Sequence, residues 1–87
     1  MARVEIPSLM RDLTDGERWV EVPGGSVKQV IEVLDERYPG VKARLCHGND
    51  LAPTITVSVD GRISRRGLFQ TVGEESEVRF LPVIEGG

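Results

Sequence analysis

The last two residues of the chain are glycines, Gly86 and Gly87, and they are the part of the sequence best suited to chemistry. Glycine has no Cβ, so a Gly-Gly tail can thread a narrow channel in another protein. The α-carboxylate of Gly87 can then attack the α-phosphate of ATP held by that protein. A sulfur or nitrogen nucleophile can displace the resulting acyl-adenylate. This ending predicts a reactive handle that is presented to a partner enzyme.

Cys46 and His47 are the single cysteine and the single histidine of the chain, and they are adjacent. Catalytic Cys-His pairs usually come from distant segments that the fold brings together, so this pair predicts neither a catalytic nor a metal site. A single cysteine also excludes an internal disulfide. We therefore expect no catalytic residue and no metal ligand, which favours a carrier, a binding module or a small non-catalytic subunit over an independent enzyme.

Length and composition limit the chain to one small domain. Its 87 residues are 39% hydrophobic and 29% charged, as in ordinary globular domains. The net charge of −3 disfavours nucleic acid as a partner. No apolar run approaches the ~20 residues that a membrane-spanning helix needs, and the first residues lack the apolar core of a secretory signal. We expect a cytoplasmic protein with no membrane partner.

The first half of the chain predicts a β-hairpin followed by a helix. Residues 3–6 and 19–22 are the two strands, with Val20 and Val22 facing the core and Trp19 facing out. The helix begins with the capping box Ser26-Val27-Lys28-Gln29 and ends at Pro39-Gly40. Its apolar residues fall on one face, and residues 41–46 form a short second helical turn.

The second half predicts two further strands and a short partner strand. Residues 55–59 alternate cleanly, and Asp60-Gly61 is a strong hairpin turn signal before Ile63. Residues 78–81 form the last strand, and residues 67–76 are irregular, with one turn near Leu68. The order is therefore β-β-α-β-(β)-β.

This order predicts an α+β fold of the β-grasp, or ubiquitin-like, type. One main helix packs on one face of a mixed sheet of four to five strands, and the first and last strands are central and parallel. Residues 1–82 form the domain and residues 83–87 a flexible tail. The predicted core consists of Val4, Ile6, Val20, Val22, Val27, Val30, Ile31, Leu34, Ile55, Val57, Val59, Val78 and Phe80.

The other face of the sheet stays open to water or to a partner. Trp19 is predicted on this face with Leu81 and Thr56 as neighbours, where it either anchors a partner or packs under the loop of residues 8–15. The predicted partner-binding residues are those near the last strand and the start of the tail, together with this tryptophan: Trp19, Arg79, Phe80, Leu81, Val83 and Ile84. Four arginines, Arg62, Arg65, Arg66 and Arg79, form either a basic docking patch or a solvated hairpin.

Two motifs carry a resemblance to a known family. The opening has the form I-P-x-x-x-R-x-x-T-x-G, from Ile6 to Gly16, and the ending has the form F-L-P-x-x-x-G-G, from Phe80 to Gly87. In their order and spacing they resemble the MoaD/ThiS-type sulfur carriers, prokaryotic relatives of ubiquitin, and most closely the MoaD-like and CysO-like members. The resemblance covers nearly the whole chain.

The resemblance implies a cycle in which the chain is a co-substrate. An E1-like enzyme adenylates Gly87 with ATP and Mg²⁺ while Gly86 threads its channel, a sulfur donor makes the thiocarboxylate, and a synthase takes the sulfur into molybdopterin, cysteine or another metabolite. The chain itself binds no cofactor. Two alternatives stay open: a ubiquitin-like modifier linked to lysines through Gly87, and a non-conjugated β-grasp interaction module. The first alternative shares the adenylate, so the sequence does not separate it from the carrier.

Overall fold

A computed structural model of the chain describes residues 1–83. The strands in this range are β1 (Ala2–Glu5), β2 (Trp19–Val22), β3 (Cys46–His47), β4 (Asp50–Leu51), β5 (Ile55–Val59), β6 (Arg62–Ile63) and β7 (Glu77–Pro82). The α-helices are α1 (Val27–Arg37) and α2 (Val41–Leu45), and short 3₁₀ turns cover Ser8–Met10 and Gly67–Phe69.

Five strands form one mixed sheet in the order β2, β1, β7, β5, β6. The first and last strands, β1 and β7, lie side by side and run parallel, while the other neighbouring pairs are antiparallel. This confirms the predicted β-grasp arrangement. The structure adds a small separate hairpin, β3–β4, where the sequence had indicated only a loop.

Helix α1 begins where the capping box predicts. The backbone N–H of Gln29 donates to the Ser26 hydroxyl at 3.2 Å, and the Gln29 side-chain oxygen accepts from the N–H of Gly25 at 2.7 Å. These reciprocal bonds satisfy N–H groups at the helix end that have no partner within the helix. The helix then buries the predicted apolar stripe against one face of the sheet: Val27, Val30, Ile31 and Leu34.

The core matches the prediction at all but one position. Ile55 is only half-buried, because it begins β5 at the margin of the core, next to the groove described below. The structure adds core residues from α2, from the loops and from the chain start, where short segments carry no periodic pattern: Ala2, Met10, Val41, Leu45, Leu68 and Val72.

The loop between β1 and β2 is held in one conformation by the residues of the first motif. The Arg11 Nε donates to the carbonyl of Ile6 at 3.1 Å, and the buried Thr14 hydroxyl donates to the carbonyl of Glu17 at 2.9 Å. Gly16 has φ +83°, a backbone region that glycine occupies at little cost. This loop buries Met10 and leaves Leu9 87% exposed on the surface.

Asp60 connects the turn after β5 to the start of β7. Its two carboxylate oxygens accept from the N–H of Glu77 and from the hydroxyl of Ser76, each at 2.9 Å. Its own N–H donates to the carbonyl of Glu77 at 2.8 Å. We call this set of bonds the Asp60 clamp. Because β7 leads directly into the C-terminal tail, the clamp fixes the beginning of the strand that presents the tail.

Replacing Asp60 with asparagine is expected to remove part of the pH dependence of stability. Hydrogen bonds from Glu77 and then Ser76 lower the pKa of the Asp60 carboxyl below its ordinary value of 3.8. A carboxyl with a lower pKa in the folded state stabilises the fold above its unfolded-state pKa, and this contribution disappears as the pH falls through the folded-state pKa. The urea midpoint of the wild type should therefore fall further between about pH 6 and about pH 3 than that of D60N.

Asp15→Asn is the matched control for this experiment. Asp15 is also an exposed aspartate with positive φ, at 54° against 52° for Asp60, and its carboxylate accepts no hydrogen bond within residues 1–83. D15N should keep the wild-type pH dependence. If D60N and the wild type lost stability in parallel as the pH was lowered, the clamp would not be its source.

Candidate functional site: the C-terminal end of β7 and its groove

The candidate site lies where β7 ends. Ile55 pairs with Pro82, and one residue further the N–H of Val83 donates to the carbonyl of Thr54 at 2.9 Å. The Val83 side chain is 43% exposed. The predicted site residues Ile84, Gly86 and Gly87 lie outside the described residues, so the described part of the site is the surface from which the tail departs.

An apolar groove of about 440 Å³ runs beside this departure point. We call it the tail groove. Its floor includes Phe80 and Met10, which are almost completely buried, and its walls include the half-buried Leu81 and the exposed Leu9. The complete lining is Pro7, Ser8, Leu9, Met10, Arg44, Thr54, Ile55, Phe80, Leu81 and Pro82. Of the predicted partner-binding residues, Phe80 and Leu81 therefore lie in this groove.

Helix α2 contributes the charged residue of the tail groove. The Arg44 Nη1 donates to the carbonyl of Leu9 at 3.2 Å, and its guanidinium forms a 3.5 Å ion pair with Asp12. Both contacts hold the first loop against α2, so they position the exposed Leu9 side chain. Sequence analysis missed Leu9 and Arg44 because they stand 35 residues apart, in short elements without periodicity. The one available signal was the apolar Leu9 beside the motif residues Ile6 and Pro7.

Trp19 lies on the open face of the sheet, as predicted, but its surroundings are charged. The ring is flanked by the guanidinium carbons of Arg3 at 4.3 Å, Arg79 at 5.4 Å and Arg18 at 6.0 Å from its centroid. Such cation–π contacts contribute about 0.5–1 kcal/mol each at exposed sites. The half-buried ring therefore packs within its own sheet face.

The strand register separates Trp19 from its predicted neighbours. Leu81 pairs with Thr56, whereas Trp19 pairs with Glu5. Strands β7 and β5, which carry Leu81 and Thr56, lie two and three strands from β2. Leu81 thus belongs to the tail groove, and Trp19 to a neighbouring patch of ion pairs in which Arg79 binds Glu77 at 2.7 Å.

The structure separates the four arginines that were predicted to form either a basic docking patch or a solvated hairpin, with Arg79 on a different face from Arg62. Residues that lie opposite each other in neighbouring strands share a sheet face. Arg79 pairs with Ser58, and Ser58 pairs with Ile63. Arg62 precedes Ile63 in β6 and therefore points to the opposite face from Arg79. Arg65 and Arg66 group with Arg62 and leave Arg79 apart.

Cys46 and His47 form strand β3, with Cys46 half-buried and His47 exposed. Burial is the main cause that raises the pKa of the Cys46 thiol above 9.0, partly offset by Lys42. The thiol is therefore protonated at neutral pH, which makes it a poor nucleophile.

Among residues 1–83, no group of three or more histidine, cysteine or acidic residues is placed to hold a metal ion. None of the helices in the same range is long and apolar enough to cross a membrane.

The five-stranded sheet is mixed, its first and last strands lie in the interior and run parallel, and one long helix covers one face. These features define a ubiquitin-like β-grasp protein. In the sequence, its last strand is followed by residues 83–87, which include Gly86 and Gly87. The chain belongs to the ThiS family, whose sequence model matches residues 4–87. The resemblance found in the sequence motifs is thereby confirmed.

Three proteins from other organisms are similar to this chain in sequence or in fold. The sulfur carrier protein CysO of Mycobacterium tuberculosis is 28% identical over 89 residues, covering 97% of this chain and 96% of that protein. A chain in the crystal structure of the Amycolatopsis orientalis BexX/CysO complex is 34% identical, with a TM-score of 0.91 and full coverage of both chains. The small archaeal modifier protein 1 of Methanosarcina acetivorans, 23% identical with a TM-score of 0.80 and coverage of 99% and 95%, shares the fold.

Proposed function

We infer that this chain is a sulfur carrier protein and that the carboxylate of Gly87 is the group that carries the sulfur. The observation that supports this most directly is the extent of the ThiS family match, which continues through β7 to the terminal glycine. The proteins named as sulfur carriers are similar over almost their whole length. The chain acts as a co-substrate in this proposal, and its partners hold the catalytic groups.

The proposed chemistry has two balanced steps at the Gly87 carboxylate. A carboxylate oxygen attacks the α-phosphorus of ATP, and pyrophosphate leaves, giving an acyl-adenylate. Hydrosulfide supplied by a sulfur donor then attacks the carbonyl carbon, the bond to AMP breaks and AMP leaves with its electron pair, and the chain ends in a thiocarboxylate. ATP and Mg²⁺ belong to an E1-like activating enzyme in this scheme, so the carrier needs no nucleotide site of its own.

The tail groove gives the activating enzyme a surface to hold while the tail reaches the nucleotide. Val83 leaves the sheet beside the groove, and four more residues can span at most about 14 Å when extended. The enzyme must therefore dock close to the β7 end. Exposed Leu9 and half-buried Leu81 offer apolar area for that contact.

A sulfur-accepting synthase is the second proposed class of partner. The similar chain from Amycolatopsis orientalis comes from a BexX/CysO complex, which supports a protein partner for the present chain. For the present chain we propose delivery of sulfur to molybdopterin, cysteine or another sulfur-containing metabolite. A ubiquitin-like modifier that is conjugated through Gly87 is the second candidate, favoured by the shared fold of the archaeal modifier protein.

Intact-mass measurement of the chain purified from its own organism tests this proposal. A sulfur carrier should yield a fraction of molecules that is heavier by the difference between one sulfur and one oxygen atom. Alkylation should then block that fraction, because a thiocarboxylate sulfur is nucleophilic. The same measurement on the C46S variant is the control, since it removes the thiol of Cys46 as a source of alkylated product. Conjugates to lysines without any thiocarboxylate would support the modifier, and unmodified chain alone would contradict both.

A further inference from the structure

A second concave surface lies at the opposite end of the β5–β7 pair from the tail groove. It has a volume of about 830 Å³ and is formed by the β5–β6 hairpin and the segments around Gln70 and Ser76. This size falls within the range of about 300–1,000 Å³ that is typical of binding clefts. We call it the arginine cleft, because three of its lining residues are Arg62, Arg65 and Arg66. It shares no lining residue with the tail groove.

The charges of the arginine cleft are not neutralised by ion pairs with residues 1–83. Within residues 1–83, the guanidinium groups of Arg62, Arg65 and Arg66 take part in no ion pair and donate no hydrogen bond, although other arginines of the chain do both. All three side chains are exposed. This local excess of positive charge stands against a net charge of −3 for the whole chain.

One acidic residue beside the arginine cleft, Asp50, lines an adjoining depression together with Arg65 and Arg66, and its Oδ1 accepts from the N–H of Leu51 at 2.8 Å. Asp60 is the acidic residue among the lining residues of the cleft, and both of its carboxylate oxygens accept hydrogen bonds in the Asp60 clamp. Glu74 and Glu75 follow Gly73 in the chain, but neither lines the cleft, and Glu74 lines a depression beside Met1. Among the described residues, the three exposed guanidinium groups of the cleft therefore have no ion-pair partner.

The position of the cleft at the sheet margin favours an extended ligand over a compact one. Strand β6 is the edge of the five-stranded sheet and has two residues, Arg62 and Ile63, both of them exposed. Edge strands and arginine clusters are two of the surfaces that bind extended or acidic peptide segments. A single inorganic anion would fill only a small part of the cleft.

We propose that the arginine cleft binds an extended acidic segment of a partner protein. Arg62, Arg65 and Arg66 supply charge-assisted hydrogen bonds to its carboxylates. This site is separate from the tail groove, so a partner can hold both or two partners can bind at once. The proposal does not depend on sulfur transfer, because none of its residues belongs to the tail or to the tail groove.

Binding of a fluorescent oligoglutamate peptide of about six residues, roughly 20 Å when extended, tests the arginine cleft. Fluorescence anisotropy with the full chain should show saturable binding that weakens with added salt. The double substitution Arg65→Gln with Arg66→Gln should weaken it by about tenfold or more, since each charge-assisted contact contributes on this scale. The matched control is Lys28→Gln with Lys42→Gln, which removes the same charge from exposed positions on the helices and should have little effect.

Three results would overturn the proposal, and each has a different meaning. Failure of the wild type to bind oligoglutamate would exclude an acidic peptide ligand. Equal weakening by the lysine control would show attraction by overall charge with no specific site. Tighter binding of tripolyphosphate or of a single-stranded oligonucleotide, measured by displacement of the peptide, would assign the cleft to a phosphate ligand. In every case the thiocarboxylate measurement is unaffected, so the carrier function is judged separately.

Discussion

Replacing Leu9 with aspartate is expected to raise the KM for this chain in its own adenylation by about 30-fold or more, while kcat changes little. We expect Leu9 to be a hot spot of this interface, and replacing a hot-spot residue costs about 2 kcal/mol or more of binding, which corresponds to about that factor. Leu9 lies in the tail groove and not on the reacting carboxylate, so its loss weakens docking without moving the bound tail. ATP–pyrophosphate exchange with the purified activating enzyme, measured against carrier concentration, separates the two constants.

Phe69→Asp is the matched control for Leu9→Asp. Phe69 is also a large exposed apolar residue, at 77% against 87% exposure, but it lies outside the tail groove. Both substitutions should change the free energy of unfolding by no more than about 0.5 kcal/mol, as is usual for surface sites. Phe69→Asp should leave KM unchanged. A normal KM for L9D, or an equal rise for both variants, would exclude the tail groove as the docking surface.

Much of the fold follows from local patterns that need no tertiary information. The alternation in residues 55–59 and the Asp60-Gly61 turn specify β5 and its hairpin, and the Ser26 capping box specifies where α1 begins. The parallel pairing of β1 and β7 is not local, and it was predicted because the order of elements leaves few ways to cover one sheet face with one helix.

The parts that sequence did not predict depend on contacts between distant short segments. Helix α2 was expected, but nothing in its five residues indicated that Arg44 would contact the carbonyl of Leu9. The separation of Arg79 from the other three arginines was not predicted, for a related reason. Proximity in the chain placed Arg62 near the last strand, but the alternation of strand side chains puts Arg62 and Arg79 on opposite faces of the sheet.

Deletion of Gly87 is expected to abolish adenylation while the chain keeps its fold and its affinity for the activating enzyme. The deletion retracts the carboxylate by about 3.5 Å, one extended residue. A misplacement of about 1 Å can already lower a rate on the order of a hundredfold. Gly86→Val should have a similar effect by a different route, because its side chain would obstruct the channel that the tail threads. Pyrophosphate exchange measures the loss, and circular dichroism shows that the fold is retained.

The truncated chain should still compete with the wild type for the enzyme, because the tail groove is intact. Its inhibition constant should be close to the wild-type KM, whereas L9D should be both a poor substrate and a poor competitor.

Gly25→Ala is the control for glycine substitution. The added Cβ would lie 3.4 Å from the Gln29 side-chain oxygen, which is an ordinary contact, and the G25A variant should be adenylated normally. If the folded chain without Gly87 were adenylated at the wild-type rate, the carrier and the modifier would both be excluded. The chain would then be an interaction module whose two glycines have no chemical role.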